Sequence, residues 1–237
     1  MHRLVLPLLL CLPCLASDRS VAEWVIDQRG RVLINDSREP LSDLSDLPAG
    51  EFRLTGIDLY GTILDPKDMT KLEGLTSLKE LYLPGPSFNP AAGSKLDANE
   101  ELKVLGTLTT LEKLHFSVHF LTNVNVQDKG LSYLTNLKNL KEIRLAQGSL
   151  KKFDFSPFPN LESIDVSYSR ADNDLLKGLS SLQKLKRLNL KDTLVSDDGL
   201  QYLANIQSLE SLNLYGLKIT DKGVQHLKNL TNLRQLN

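Results

Sequence analysis

Two histidines are the first candidates for chemistry in this chain of 237 residues, because His115 and His119 lie four positions apart. Histidines at this spacing share one side of a helix and can bind zinc there. The alternation of apolar and polar residues around His115 instead predicts a strand that ends before His119, and no carboxylate or cysteine nearby completes a set of ligands. We therefore predict no metal site and no cofactor, and we expect His119 to form hydrogen bonds to the backbone of its loop.

Four aspartates in similar contexts resemble calcium ligands at first sight: Asp128, Asp172, Asp197 and Asp221. Each precedes a run whose apolar residues are spaced as in a short helix, and the four are too far apart along the repeats to share one ion. An aspartate in this position accepts hydrogen bonds from free amides of the helix, so we predict helix capping. The sequence contains no nucleophile elbow, phosphate loop or acid pair at motif spacing, and we predict that the chain is not an enzyme and has no catalytic residues.

The secondary-structure elements that position these residues are predicted by one apolar sequence motif, aliphatic-x-x-aliphatic-x-aliphatic. This motif, which we call the repeat phrase, occurs eight times. It begins at Leu54, Leu78, Leu111, Leu140, Leu161, Leu185, Leu209 and Leu233, with steps of 24, 33, 29, 21, 24, 24 and 24 residues. The alternating end of the phrase predicts a short strand, and the following run, as in residues 196–206, predicts one or two turns of helix. Neither element buries its apolar side alone, so the repeats must stack as a solenoid.

The chain resembles bacterial exported leucine-rich-repeat proteins with 24-residue units and loops of the type T-x-[IV]-[ST]-D-x-G-L. The loop phrase stands at residues 193–200 and 217–224, with weaker forms at 127–131 and 171–175. Residues 22–25 and 30–32 are similar to the lead-in of planctomycete-like repeat proteins. The resemblance covers roughly residues 51–237. It implies an α/β leucine-rich-repeat solenoid: a right-handed horseshoe with parallel strands on its concave face, short helices on its convex face and an N-terminal cap, a fold that many unrelated binding proteins use.

The first segment, residues 1–16, is typical of a secretory signal peptide. Arg3 supplies a positive start, residues 4–15 are mostly apolar, and small residues precede Ser17. Twelve apolar-rich residues are too few for a bilayer, which needs about twenty, so an uncleaved anchor is the lesser alternative. Both cysteines of the chain lie in this segment, so the mature chain has no disulfide. We expect an extracytoplasmic protein (periplasmic, at the cell surface or secreted) with no membrane insertion after cleavage.

The remaining chain divides into a cap and the solenoid. Residues 17–50 precede the repeats; their apolar spacing predicts a helix over residues 21–26 and an edge strand over residues 31–34, which together would cover the open end of the core. Residues 51–237 form about eight repeats, of which the last is incomplete at Asn237. Two explanations stay open: an additional domain lies beyond Asn237, or the exposed edge pairs with another chain.

The predicted binding surface is the concave face, where strand side chains that do not enter the core must point. The formal net charge is −1 and no column of one charge runs across this face, so we predict no nucleic-acid partner. A patch of Tyr60, Tyr82, His115 and Arg144 is the candidate ligand site, because Tyr and Arg dominate binding energies. The alternative is an ordinary solvated face. The same register places on this face, among others, Arg187, Asn189, Lys191, Asn213 and Tyr215.

Two long units insert loops near residues 84–94 and 117–127, and three further candidates lie in these insertions: Phe88, His119 and Phe120. Loops on a rigid scaffold commonly carry recognition, although neutral extensions also cost little. The resulting hypothesis is a non-catalytic module of an exported protein that binds a protein or glycan. The alternative is the targeting portion of a larger secreted enzyme whose catalytic domain lies outside this chain.

Overall fold

The computed structural model describes residues 17–88, 99–117 and 126–237. The predicted signal peptide therefore lies outside the described residues. The same is true of candidates His119 and Phe120 and of most of both inserted loops.

One sheet runs through the described residues. Its strands are β1 (Arg31–Ile34), β2 (Leu54–Asp58), β3 (Glu80–Leu83), β4 (Lys113–Phe116), β5 (Glu142–Arg144), β6 (Ser163–Asp165), β7 (Arg187–Asn189), β8 (Ser211–Asn213) and β9 (Gln235–Leu236), in that order across the sheet. Strand β1 is antiparallel to β2, and each later strand is parallel to the one before it. Parallel neighbours in strict chain order arise when each turn lays its strand beside the previous turn, so the predicted leucine-rich-repeat solenoid is confirmed.

Short helices occupy most of the segments that return the chain from one strand to the next. The α-helices of the described residues are α1 (Asp18–Asp27), α2 (Asp128–Ser132), α3 (Asn173–Leu179) and α4 (Asp221–Gln225), and 3₁₀ helices cover Leu44–Asp46, Pro66–Leu72, Gly85–Phe88, Glu100–Thr107 and Asp197–Leu203. Only one or two turns fit between strands, which favours the tighter 3₁₀ form.

The N-terminal segment contains the predicted helix and strand, α1 and β1. Ser17 and Ser20 form a capping box at the start of α1. The Ser17 hydroxyl oxygen accepts from the amide of Ser20 at 3.1 Å, and the Ser20 hydroxyl oxygen accepts from the amide of Ser17 at 3.1 Å. Val21, Ala22 and Val25 lie on the buried side of the helix, which packs against β1 and β2. This segment therefore covers apolar surface at the first parallel strand.

Each repeat phrase contributes aliphatic side chains to one continuous core. In the turn that carries β7 these are Leu185, Leu188 and Leu190, each at most 2% exposed. Leu188 pairs in register with Ile164 on one side and Leu212 on the other. Full burial of a leucine contributes about 1.5–3 kcal/mol, and it is the neighbouring turns that complete this burial.

The helix-capping prediction for the recurring aspartates is confirmed at Asp172, whose Oδ1 accepts from the amide of Asp174 at 2.9 Å. It is wrong at Asp221, because α4 is capped by the preceding residue. There the hydroxyl oxygen of Thr220 accepts from the amide of Lys222 at 3.3 Å.

At the other two aspartates the prediction is also wrong, because the carboxylates bind the next turn. Asp197 accepts from the amide and the hydroxyl of Thr220 at 2.8 and 2.6 Å. Asp128 accepts from the amides of Lys151 and Lys152 at 3.1 and 3.0 Å. Stacking brings amides of the following turn within reach of these carboxylates, so they join turns instead of capping their own helices.

The shortest unit departs from the pattern of one helix per turn. Residues 145–162, all of them described, contain no helix. The buried rings of Phe153, Phe155 and Phe158 fill the core there, with centroids 5.0 to 6.4 Å apart. Aromatic rings bury large areas per residue, so this turn closes its layer without a helix.

Truncation of one core leucine tests whether the stacked layer holds the fold. Leu188→Ala is expected to lower the free energy of unfolding by about 2–5 kcal/mol, because it leaves a cavity between two neighbouring turns. The matched control is Leu194→Ala in the same turn, where the side chain is 63% exposed and a change within about 0.5 kcal/mol is expected. Urea unfolding of both variants measures the difference, and equal effects would contradict a shared core.

Candidate functional site

The middle row of the concave face brings most of the candidate residues together. Strand pairing places Asp58 beside Tyr82, Tyr82 beside His115, His115 beside Arg144 and Arg144 beside Asp165. Neighbouring strands lie about 4.8 Å apart, so these side chains are in reach of one another. We call Tyr60, Tyr82, His115 and Arg144 the concave patch.

Aromatic contacts hold one end of the concave patch. The rings of Tyr60 and Tyr82 meet edge to face with centroids 5.6 Å apart, and those of Tyr82 and His115 do the same at 5.0 Å. Edge-to-face pairs contribute about 0.5–1.5 kcal/mol beyond the buried area. Tyr60 lies two residues after the end of β2, and its ring packs against Tyr82 of the neighbouring strand β3.

Acidic side chains neutralise the basic ones within this face. Glu80 accepts from the Tyr82 hydroxyl at 2.8 Å and pairs with Lys113 at 2.8 Å. His115 Nε2 lies 3.1 Å from a carboxylate oxygen of Glu142. Burial opposes the ionisation of Glu80, but hydrogen bonds from Lys113 and Tyr82 outweigh it and lower the pKa of Glu80.

Opposite charges also pair along the edge of the sheet where the strands begin. From the second phrase onward, the residue after the first leucine alternates in charge from turn to turn: Lys79, Glu112, Lys141, Glu162, Lys186, Glu210 and Arg234. Lys141 pairs with Glu112 at 2.7 Å, and Lys186 pairs with Glu162 at 2.8 Å. Neighbouring turns therefore supply opposite charges in these two pairs, whereas Lys79 pairs with Asp36 of the N-terminal segment at 2.7 Å.

Three polar atoms of the concave patch have no aligned hydrogen-bond partner. These are the Tyr60 hydroxyl oxygen, His115 Nε2 and Arg144 Nε, and all three are buried. Arg144 Nε lies 3.4 Å from an Asp165 oxygen and His115 Nε2 lies near Glu142, within ion-pair range but without hydrogen-bond alignment. A buried polar atom without a partner costs about 1–3 kcal/mol, a cost that applies in full to the Tyr60 hydroxyl, and the three atoms lie in one patch.

The Tyr60 hydroxyl is a hydrogen-bond donor at ordinary pH. Burial is the main cause that raises the pKa of Tyr60 to about 12, with Arg144 acting in the opposite direction. Arg144 Nε is also a donor. The patch therefore contains two donors that a ligand oxygen could satisfy once the side chains rearrange.

The candidates from the inserted loops do not join the patch within the described residues. Phe88 belongs to the core, with 0% exposure and its ring edge to face with Phe116 at 5.1 Å. The prediction that Phe88 contacts ligand is therefore wrong, because the turn Gly85–Phe88 directs it inward. His119 and Phe120 lie outside the described residues and stay predictions.

A cluster that the sequence did not predict lies at the ends of the later strands. Lys191 Nζ sits 5.0 Å from the ring centroid of Tyr168 and 4.8 Å from that of Tyr215. Tyr168 has a backbone φ of 57° and is 49% exposed. The three residues come from three different turns. Register already placed Lys191 and Tyr215 at the same position of adjacent turns, but it did not place Tyr168, one position later in its turn, against the lysine.

The described ranges contain no group of three or more His, Cys, Asp or Glu side chains arranged to hold a metal ion. Over the same ranges, every helix is too short or too polar to cross a bilayer.

Comparison with known proteins gives structural neighbours only. No family model and no curated protein matches the chain. The structure is similar to that of internalin C2 from Listeria monocytogenes, with 25% identity, a TM-score of 0.58, and coverage of 78% of this chain and 70% of that one. The leucine-rich-repeat ectodomain of the receptor kinase SOBIR1 from Arabidopsis thaliana gives 21% identity over 52% of this chain and 68% of that one, with a TM-score of 0.39. The likeness to internalin C2 supports the leucine-rich-repeat fold.

Removal of single hydroxyls tests the hydrogen bonding of the concave patch. Tyr60→Phe is expected to raise the free energy of unfolding by about 1 kcal/mol, because the buried hydroxyl has no partner. Tyr82→Phe is expected to lower it by about 1 kcal/mol, because it removes the hydrogen bond to Glu80. Urea unfolding distinguishes the two signs, and destabilisation by Tyr60→Phe would show that its hydroxyl is satisfied.

Acid titration tests the pairing of Glu142. His115, whose Nε2 lies 3.1 Å from the Glu142 carboxylate, is the main cause that lowers the pKa of Glu142 in the folded state. The stabilisation is thus complete above the ordinary glutamate pKa of about 4.3 and is lost as the pH falls through the lower folded value. Unfolding free energies measured between about pH 5 and pH 3 should fall less steeply for Glu142→Gln than for the wild type. The exposed control Glu73→Gln should keep the wild-type slope, and an unchanged slope in Glu142→Gln would refute the pairing.

Proposed function

We propose that this chain is a non-catalytic binding module of an exported protein and that it holds a protein or glycan ligand on the concave face around Tyr60, Tyr82, His115 and Arg144. The observation that carries the proposal is the convergence of three buried polar atoms without aligned partners in this one patch. Tyr and Arg are the residues that most often dominate binding energy, and here they stand on a rigid sheet.

The electrostatics of the patch favour binding over proton transfer. A carboxyl group serves as a general acid or base at neutral pH when its pKa is raised toward 7. Hydrogen bonds from Lys113 and Tyr82 outweigh burial and lower the pKa of Glu80, and the nearby His115 lowers the pKa of Glu142. These carboxylates stay ionised and act as fixed partners of neighbouring cations, which suits a surface that recognises a ligand by shape and charge.

The inserted loops belong to the same proposal. The amide of Gly85 donates to the hydroxyl oxygen of Ser117 at 3.1 Å, so the segments that enter the two insertions start side by side at the end of the sheet where Tyr60 lies. Residues 84–94 and 117–127 would then border the ligand. Export is supported by the signal-like residues 1–16 and by the helix start at Ser17, which leaves the folded part intact after cleavage.

Binding arrays test the proposal directly. The labelled mature protein is applied to arrayed glycans and peptides, and each hit is measured again with Arg144→Ala. Loss of a central contact costs more than about 1.4 kcal/mol, so binding at least about tenfold weaker is expected. Lys177→Ala, which removes an exposed charge from helix α3, is the matched control and should bind as the wild type does. No hit, or equal losses in both variants, would refute the proposal.

A further inference from the structure

Two asparagines on the later strands present their amide donors to the concave face. The side-chain oxygen of Asn189 accepts from the amide of Lys191 at 3.2 Å, and that of Asn213 accepts from the amide of Tyr215 at 3.0 Å. Only the oxygen of a carboxamide accepts, so these bonds fix which side-chain atom is used internally. Both Nδ2 groups are left without a hydrogen-bond partner among the residues that the structure describes.

Two cations flank these amides. Arg187 begins β7 and is exposed; within the described chain it forms no ion pair of 4.0 Å or less and acts on Glu142 and Glu162 only at longer range. Lys191 is held between the rings of Tyr168 and Tyr215, at 5.0 and 4.8 Å from their centroids. Together with Asn189 and Asn213, these two cations form a set of hydrogen-bond donors, which we call the donor surface.

The earlier strands provide a contrast, because a carboxylate lies within ion-pair range of each of their cations. Lys113 pairs with Glu80 at 2.8 Å, and Arg144 lies 3.4 Å from Asp165. The donor surface borders a hollow of about 310 Å³ on the concave face. Its neighbouring carboxylates are Glu142 and Asp165, which face His115 and Arg144, and Asp192 on the turn after Lys191.

We propose that the donor surface binds an extended acidic peptide segment. Side-chain carboxylates of the peptide contact Arg187 and Lys191, and its backbone carbonyls accept from the amides of Asn189 and Asn213. This inference rests on the proposed function, because it names the ligand class of the same concave face. A neutral glycan carries a donor with every hydroxyl and would find few free acceptors here, whereas a peptide rich in Glu or Asp offers mainly acceptors.

The backbone at Tyr168 explains where one of the two rings around Lys191 stands. A φ of 57° is unfavourable for an aromatic residue, and a glycine would adopt it freely. The tyrosine ring nevertheless stands there, half exposed and against Lys191. The same left-handed turn recurs seven residues after the first leucine of other repeats, at Gly61, Gln147, Asp192 and Gly216, so it belongs to the repeat and is not a mark of this site.

Isosteric substitution tests the donor surface without removing its structural bonds. Asn189→Asp and Asn213→Asp keep the oxygen that accepts from the backbone amide and replace each outward NH₂ by an anionic oxygen. Fluorescence anisotropy measures the binding of a labelled hexaglutamate peptide to the full chain. Each variant should bind at least about tenfold more weakly than the wild type. Asn213→Asp should keep the thermal midpoint, whereas Asn189→Asp places a carboxylate beside Asp165 on the neighbouring strand and should lower it. Asn205→Asp, the same change on an exposed residue of the convex side, should leave the affinity within about twofold of the wild type.

Charge and ligand class have their own controls. Binding of hexaglutamate should weaken as salt is raised, and hexalysine should not bind. Absence of hexaglutamate binding, an affinity unchanged in both Asp variants, or binding of an acidic oligosaccharide without binding of the peptide would overturn the inference. Array hits that still depend on Arg144 after such a failure would leave the proposed function standing, so the two failures are distinguishable.

Discussion

The structure depends on the burial of each turn's leucines by the next turn. A three-residue strand and a helix of one or two turns bury too little area to form alone, so no repeat is stable without its neighbours. The pairing of Ile164, Leu188 and Leu212 shows how strictly the layers align. Because side chains alternate along a strand, this inner register also fixes the outer one. The rows of the concave face are therefore a consequence of the core.

Sequence periodicity predicted the fold well because it reports burial directly. The strands fall at the end of each phrase, and even the steps of 33 and 29 residues leave the register of β3, β4 and β5 unbroken. The errors concern contacts between turns. Asp197 precedes a helix and looks like its cap, but its carboxylate reaches Thr220 of the following turn. Phe88 lies in a loop-like stretch of sequence, but its ring enters the core.

The candidate site was predictable in position and less so in chemistry. Register alone placed Tyr82, His115 and Arg144 side by side. It did not show that Glu80 and Glu142 would hold neighbouring cations, or that the Tyr60 hydroxyl would be enclosed without a partner, since both depend on how side chains reach across strands. The contact of Lys191 with the rings of Tyr168 and Tyr215 was not predicted for the same reason. Aligning the turns against one another would have revealed the charge pairing.

The alternating charges at the entrance of the strands make the turns unequal, although their leucines are interchangeable. Lys141 stands between Glu112 and Glu162, and Lys186 stands between Glu162 and Glu210. Removal of the turn that carries Lys141 would place Glu112 beside Glu162, two like charges. Removal of two adjacent turns would leave a lysine beside a glutamate. The pairs of Lys141 with Glu112 and of Lys186 with Glu162 are solvent-exposed, so each contributes about 1 kcal/mol or less to the preference of one coil for its neighbour.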